Sequence, residues 1–495
     1  MRKAREFVVA ASFVLACGAS AVQAADWIMQ QGTEPADTGA YRFFGAGWLT
    51  YANNYGCDAF SGLRAPNGTP NGSPSGGPAL NNGEYHNACV VPPEFGDTRE
   101  TNLDNLTAGI RGNLIPGRIN YFFAANAGQN FFNYLPFQTS RHVVASVQDA
   151  SLTFSYIPGA RVRVGLFKKP GPEEIQRAAP PEFIFVSASL AQWQQEIFVR
   201  SNAYFRTGLP IPGQGYLGGV ASYGYDADLG RDWGVQAFDS FKLDRWTLSY
   251  ALMWGWGNGI HLRENLNPHK DVNAELVAEY DLPGGQGPNK HGIKAYGYYQ
   301  QGQRQFEINA AGTESEAFDR IRYGVGVRAL GELFGEGNGR HRVGFDAMYG
   351  QGMIFTTPSG NVVDGNFGDG NLSIAAERGN KARGYTIDYG YYLGDKWRFD
   401  LRWGLNQTLY STAGVWQPAD ERRVEEWTLG VTHFFMPNLQ LSANYQFRDF
   451  QAPTAVQPVA NTPAAINNAS VATRNQDIVT GSVGDRFAVR LVYTF

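Results

Sequence analysis

Basic residues at alternate positions are the residues of this sequence whose type and spacing suggest a chemical function. Arg161 and Arg163 are separated by a single valine, and Lys168-Lys169 follow shortly after. Guanidinium and ammonium groups bind carboxylates and phosphates through charge-assisted hydrogen bonds, so the chemistry indicated is reversible anion binding. Other basic residues occur in similarly alternating segments: Arg322, Arg398, Arg402 and Arg490.

The sequence lacks the motifs of bond-breaking chemistry. It contains no His-Glu-x-x-His, no phosphate-binding glycine loop and no Gly-x-Ser-x-Gly elbow. His261 and His269 near Glu264 leave a metal site open, although solvated loop residues are the ordinary interpretation. No Cys-x-x-Cys-His is present to attach haem covalently. We therefore predict a protein that is not an enzyme and holds no cofactor or metal.

The alternating residues must be positioned by β-strands. In the last eleven residues, Asp485–Phe495, one face is apolar and aromatic and the other carries Arg486 and Arg490. A period of two places successive side chains on opposite faces of a strand. The pattern recurs along the chain, for example in Trp397–Asn406 and Leu439–Arg448. These segments predict strands with two different surroundings.

We count sixteen such strands, joined alternately by short turns and long polar loops. The strands are predicted at residues 41–54, 105–114, 119–127, 142–156, 161–169, 231–241, 246–254, 271–282, 293–306, 320–332, 341–355, 381–393, 396–410, 424–435, 439–450 and 485–495. Ile115-Pro-Gly-Arg118 and Ile157-Pro-Gly-Ala160 are predicted turns, because proline fixes φ and glycine accepts positive φ. A hairpin within 196–226 would raise the number to eighteen.

This pattern indicates an all-β fold, a transmembrane antiparallel β-barrel. Charged residues make up only 17% of the chain, below the ~25% of soluble domains. Strands of ~10 residues with an apolar outer face and a polar inner face are typical of outer-membrane barrels. Only closure satisfies every backbone group at a strand edge in lipid. A soluble two-sheet protein is the alternative.

The inner face would then line a water-filled lumen. A sixteen-stranded ring encloses more space than its own side chains fill, so passive diffusion follows from the geometry. Acidic residues face the arginines, and opposed charges either create a transverse field or brace the wall. For each arginine, selectivity and bracing both remain open. The acidic candidates are Glu275, Glu279, Asp346, Asp388 and Asp400.

The N-terminus predicts export. Arg2, Lys3 and Arg5 precede an apolar stretch, and Val22-Gln23-Ala24 offers a cleavage site, so residues 1–24 are predicted to be a signal peptide. Cys17 leaves a lipid-anchored cysteine as the alternative. Residues 25–40 are predicted to be a short periplasmic segment, and residues 41–495 the barrel. The formal net charge of −4 and the lack of a polybasic tract argue against nucleic acid as a partner.

Two cysteines remain after the signal peptide. Cys57 and Cys89 flank a stretch rich in Gly, Pro and Asn. An even count in an exported chain favours one disulfide that staples a loop, although two free thiols are the alternative.

The proline-rich segment 170–228 is the candidate for a loop folded into the lumen. It carries apolar side chains such as Phe183, Phe185 and Trp193 that suit packing inside a barrel. An external lid is the alternative. A constricted barrel favours passive diffusion of small hydrophilic solutes or ions. A wide barrel would instead suit a sheath around a separate multihaem cytochrome.

Several short motifs resemble the family of phosphate-selective porins O and P. Arg161–Glu174, with its run from alternating basic residues into Pro170, is similar to the strand that enters that family's third loop. Arg231–Gln236, Trp254–Gly259 and Asp271–Glu275 continue the likeness. The resemblance implies a sixteen-stranded outer-membrane porin, a homotrimer with a loop constriction. From the basic residues themselves we predict an anion preference, set by Arg161, Arg163, Lys168 and Lys169 near the constriction and by Arg398 and Arg402 on the far wall. Tyr493 and Phe495 look like the signal that barrel-assembly machinery reads.

Overall fold

The structure, a computed structural model, forms one closed antiparallel barrel of sixteen strands in which each strand pairs with its neighbours along the chain. The predicted fold class is confirmed. The described residues are 31–56, 59–60, 85–86, 98–128, 144–176, 185, 230–257, 259, 268–285, 290–307, 315–352, 355–358, 372–375, 381–408, 421–451, 453–458, 460–481 and 483–495.

The strands of the barrel follow the order of the chain around the ring. They are β1 Arg42–Gly56, β2 Thr98–Ile115, β3 Ile119–Gly128, β4 Val144–Ile157, β5 Ala160–Lys168, β6 Arg231–Leu243, β7 Trp246–Gly255, β8 Asp271–Asp281, β9 Gly292–Glu307, β10 Ser315–Gly331, β11 Arg340–Gln351, β12 Ala382–Leu393, β13 Trp397–Thr408, β14 Arg422–Met436, β15 Leu439–Gln451 and β16 Val483–Thr494. Direct pairing of β5 with β6, from Arg161 opposite Phe238 to Lys168 opposite Arg231, leaves no place for another hairpin. The eighteen-strand alternative is therefore wrong.

Short turns lie at one rim and long connections at the other. The turns predicted at Ile115–Arg118 and Ile157–Ala160 are confirmed, and Gly117 and Gly159 adopt φ of 68° and 76° there. β2 begins seven residues earlier than predicted, at Thr98, where it pairs with Asn54 of β1. The Pro-Gly pairs in the sequence therefore determine these two turns of the short-turn rim.

Two helices lie outside the strands in the described part of the chain, α1 Glu173–Gln176 and α2 Pro463–Gly481. The second occupies a segment that we predicted to be a polar loop. The Ala465 N–H donates to Thr462 Oγ1 (3.2 Å), and Pro463 takes the first helical position, where its missing N–H costs nothing. Among the described helices, none is both long and apolar enough to cross a lipid bilayer. Short strand pairs join Ala59–Phe60 to Tyr85–His86, and Phe355–Pro358 to Leu372–Ala375.

Burial is inverted relative to a soluble protein. The largest fully buried side chains of the described residues are six arginines and three phenylalanines: Arg163, Arg320, Arg322, Arg342, Arg398, Arg402, Phe122, Phe167 and Phe238. Large apolar side chains instead point outward; Leu276, at the centre of β8, is 69% exposed. A polar interior and an apolar exterior are the arrangement that lipid requires of a barrel.

The ring closes where the end of the chain meets β1. Gly45 and Phe495 exchange two backbone hydrogen bonds of 3.0 Å, and Tyr493 lies opposite Gly47. A Cβ at Gly45 would fall 2.3 Å from Cζ of Phe495, so the ring of Phe495 needs a glycine there. The last aromatic residue thus seals the barrel, and its role as an assembly signal stays a prediction.

Placing a charge on the outer belt tests the inverted burial. We expect Leu276→Arg to destabilise the folded barrel by about 2–4 kcal/mol, because the guanidinium would enter the bilayer midplane. Leu276→Ala, the control, removes the side chain without adding charge. Urea-dependent unfolding in lipid vesicles measures both. Equal stability of the two variants would contradict the assignment of this face to lipid.

Candidate functional site

Residues Lys169–Gln176 turn from the end of β5 into the barrel, and we call them the crossing segment. The Lys169 N–H donates to the Gly230 carbonyl (2.7 Å), and the side chain of Gln176 donates back to the Lys169 carbonyl. Pro170 and Pro172 restrict φ between these points. Gln300 of β9 holds the segment from the wall by donating to the Pro170 carbonyl. The segment is therefore a fixed, folded-in turn.

Glu173 anchors the crossing segment to two adjacent strands. Its carboxylate accepts from Lys294 of β9 (Nζ to Oε2, 2.8 Å) and from Arg328 of β10 (Nη1 to Oε1, 3.1 Å). Lys294 and Arg328 are direct cross-strand partners. Like charges placed opposite each other destabilise a sheet. The carboxylate of Glu173 offsets this repulsion, so the wall and the segment stabilise each other.

Glu174 carries the contact to the far side of the barrel. Its carboxylate accepts a hydrogen bond from Nη2 of Arg402 on β13. The ring of Phe185, also buried, lies 4.0 Å from the Arg402 guanidinium carbon. β5 and β13 are eight places apart in the ring of sixteen, which makes them opposite. The crossing segment thus spans the lumen from one wall to the other.

Charge pairs brace the wall that receives Glu174. Arg402 Nε donates to Asp388 Oδ1 (2.7 Å), and Arg398 Nε donates to Asp400 Oδ2 (2.8 Å). Arg342 of β11 lies 3.7 Å from both carboxylates. These five side chains are buried and form an alternating ladder across β11, β12 and β13. Of the two interpretations left open by the sequence, their contacts favour bracing for Arg398 and Arg402.

The wall near β5 holds the other predicted arginines. Arg161 donates to Asp239 of β6 (2.8 Å). Arg163 donates to Gln236 (3.0 Å), and its guanidinium carbon lies 4.2 Å from the ring centre of Phe238. Both are therefore engaged with β6. Lys168 and Lys169, also buried, lie where the crossing segment begins.

The two remaining predicted residues lie apart from each other. Arg322 of β10 donates to the carbonyls of Ile321 (2.8 Å) and Gln351 (2.9 Å), and it is the cross-strand partner of Gln300. Arg490 of β16 donates to Thr50 of β1 (2.8 Å), on the wall next to the seam. The structure therefore groups Lys168, Lys169 and Arg322 around the crossing segment but does not bring Arg490 to it. Their roles in selectivity stay predictions.

Some predicted features lie outside the described residues. Cys57 and Cys89 do, so the disulfide stays a prediction, as does the signal peptide at 1–24. Of the predicted loop 170–228, residues 170–176 and Phe185 are described, and they lie inside the barrel.

The sequence interpretation missed two sets of functional residues. Glu173 and Glu174 were not among the predicted constriction residues, yet they fasten the crossing segment to both walls. Gln31 and Glu34 belong to the segment predicted to be periplasmic, yet they are buried against the inner wall. Glu173 and Glu174 follow Pro170 and Pro172, and this pattern indicates the start of a short helix. The residues that the two glutamates bind are distant in sequence and could not be predicted.

Comparisons with known proteins add no family. No protein-family model matches the sequence, and no curated protein matches it. The resemblance to the phosphate-selective porins therefore remains a hypothesis.

Several solved structures are similar to this chain at low sequence identity. They include OmpT of Vibrio cholerae (10% identity over 93% of this chain and 100% of that one, TM-score 0.44). An anion-selective porin from Comamonas acidovorans gives the same values. The channel DcaP of Acinetobacter baumannii has 11% identity, coverage of 94% and 100%, and a TM-score of 0.43. At such low similarity they carry no argument here, and the fold rests on the strand pairing itself.

Removing the carboxylates of the crossing segment tests its anchoring. We expect Glu173→Gln combined with Glu174→Gln to speed amide hydrogen exchange in residues 169–176 about tenfold or more, since a hydrogen bond to a charged group contributes about 1.5–3 kcal/mol. Glu336→Gln, an exposed change at the short-turn rim, is the control. Hydrogen exchange read by mass spectrometry gives the rates. Unchanged exchange in the double variant would show that the anchors are dispensable.

Proposed function

We propose that this protein is an outer-membrane porin through which small hydrophilic solutes or ions diffuse passively. The observation that carries the proposal is the closed barrel with charged side chains inside and apolar side chains outside. Such a barrel needs no catalytic residue to conduct. The predicted signal peptide, and insertion by the barrel-assembly machinery at Tyr493 and Phe495, would bring it to that membrane.

The crossing segment supports a selective pore rather than a wide tube. Its contacts with β9, β10 and β13 place protein across the lumen. A sheath around a multihaem cytochrome needs an unobstructed interior. The anchors of Glu173 and Glu174 therefore do not favour that alternative.

The proposed selectivity is a preference for anions. Both carboxylates of the crossing segment are matched by cations of the walls, namely Lys294, Arg328 and Arg402. Lys168 and Lys169 lie at the root of the segment, and Arg322 lies opposite Gln300, which holds Pro170. Cations placed at a constriction attract anions and repel cations. We assign selectivity to Lys168, Lys169 and Arg322 because of their position beside the crossing segment.

Reversal potential under a salt gradient tests this assignment. We expect the wild-type protein to show discrete channels with an anion-biased potential. Replacing Lys168 and Lys169 by Gln should move the potential toward zero, because two positive charges leave the constriction. Lys242→Gln, which removes one positive charge from the exposed end of β6, should leave the potential unchanged.

The outcomes separate the two parts of the proposal. A cation-biased wild-type channel would keep the porin and exclude the anion preference. A folded protein without any conductance would exclude the porin.

The proposed assembly is a homotrimer. Small residues face outward among larger apolar ones on three adjacent strands; they are Gly47, Ala108, Ala125 and Ala127. We expect native mass spectrometry of detergent-extracted protein to give three chains. Ala108→Trp should shift the mass toward one chain, whereas Leu248→Trp on β7 should not. A wild-type monomer would contradict the proposed assembly.

A further inference from the structure

Residues Gln31–Thr38 enter the barrel from the short-turn rim, and we call them the N-terminal strap. At the rim, Asn113 of β2 donates to the carbonyls of Pro35 (2.9 Å) and Thr38 (2.8 Å). Pro35 to Asp37 are exposed, whereas Gln31, Gly32 and Glu34 are buried. The strap therefore runs from the solvent-exposed rim into the interior.

Glu34 fixes the middle of the strap to the inner wall. Its carboxylate accepts from Nε of Arg111 on β2 and lies 3.8 Å from Arg42 of β1. The side chain of Glu34 is 1% exposed. A buried carboxylate bound by two arginines resists displacement, since removing one partner leaves a charge uncompensated.

The inner end of the strap reaches the root of the crossing segment. Gln31 Nε2 donates to Asp149 of β4 (2.8 Å), and the Gln31 carbonyl accepts from Arg163 of β5. Asp149 also accepts hydrogen bonds from Nε and Nη2 of Arg231 (3.0 and 3.1 Å). Arg231 is the cross-strand partner of Lys168, which directly precedes the crossing segment. The inner end of the strap and the start of the crossing segment are thus linked along the wall through Asp149 and Arg231.

We propose that the N-terminal strap is a second wall of the constriction. The crossing segment extends toward β9, β10 and β13, whereas the strap covers the inner faces of β2 to β5. The strap also binds two arginines of the wall: Glu34 forms an ion pair with Arg111, and the Gln31 carbonyl accepts a hydrogen bond from Arg163. The strap therefore sets the open cross-section and restrains the anion preference. This inference rests on the proposed porin function.

Single-channel conductance of strap variants tests the inference. We expect deletion of Gln31–Thr38 to raise conductance roughly twofold and to increase the anion bias, because pore width and lining charge set both quantities. Glu34→Gln with Asn113→Ala, which keeps the whole chain, should give a smaller change in the same direction. Asp37→Asn, an equal loss of charge at an exposed strap position, should behave as wild type.

The outcomes distinguish the strap inference from the porin function. If the deletion variant fails to fold, the Glu34→Gln and Asn113→Ala variant decides alone. Wild-type conductance with unchanged variants overturns the strap inference and leaves the porin standing. A silent wild type with a conducting deletion variant makes the strap a plug and overturns the passive porin. Silence in all of the folded proteins overturns both.

Discussion

The fold depends on one constraint: within lipid, every backbone N–H and C=O of the strands must find a partner in the protein. A flat sheet leaves two edges bare, so β1 and β16 must pair, and the final residue completes that pairing at Gly45. Once the ring is closed, the period of two fixes the rest. One side of each strand faces lipid, and the other faces an interior where charge is tolerated.

Charge is tolerated in the interior only where it is paired. An arginine that is almost fully buried needs a carboxylate or another hydrogen-bond acceptor. The ladder of Arg342, Asp388, Arg402, Asp400 and Arg398 meets this need within the wall. Glu173, Glu174 and Glu34 meet it from segments that enter the lumen. The same pairing therefore stabilises the wall and holds its inward segments, which leaves fewer charges to act on a passing ion.

Period-two patterning and turn chemistry made the barrel predictable. Trp397–Asn406 and Leu439–Arg448 alternate strictly between apolar and polar residues. The ends of the two strands that contain them lie within two residues of the predicted ends. The inward segments were not predictable, since the partners of Glu174 and Gln31 lie 228 and 118 residues away. Helix α2 was missed for a different reason. Its Asn, Thr and Val residues are weak helix formers, although Thr462-Pro463 signalled its start.

The bonds between Gly45 and Phe495 also mean that the barrel has no intrinsic beginning. β1 and β16 are neighbours like any other pair, and the start of β1 and the end of β16 both lie at the short-turn rim. A circular permutant joining Phe495 to Tyr41 through a short linker, and opened at the Gly394-Asp395 turn, preserves every strand pair of the ring. Such a chain would form the same lumen but would lack the N-terminal strap. Ring order and chain order are thus separable properties of this protein.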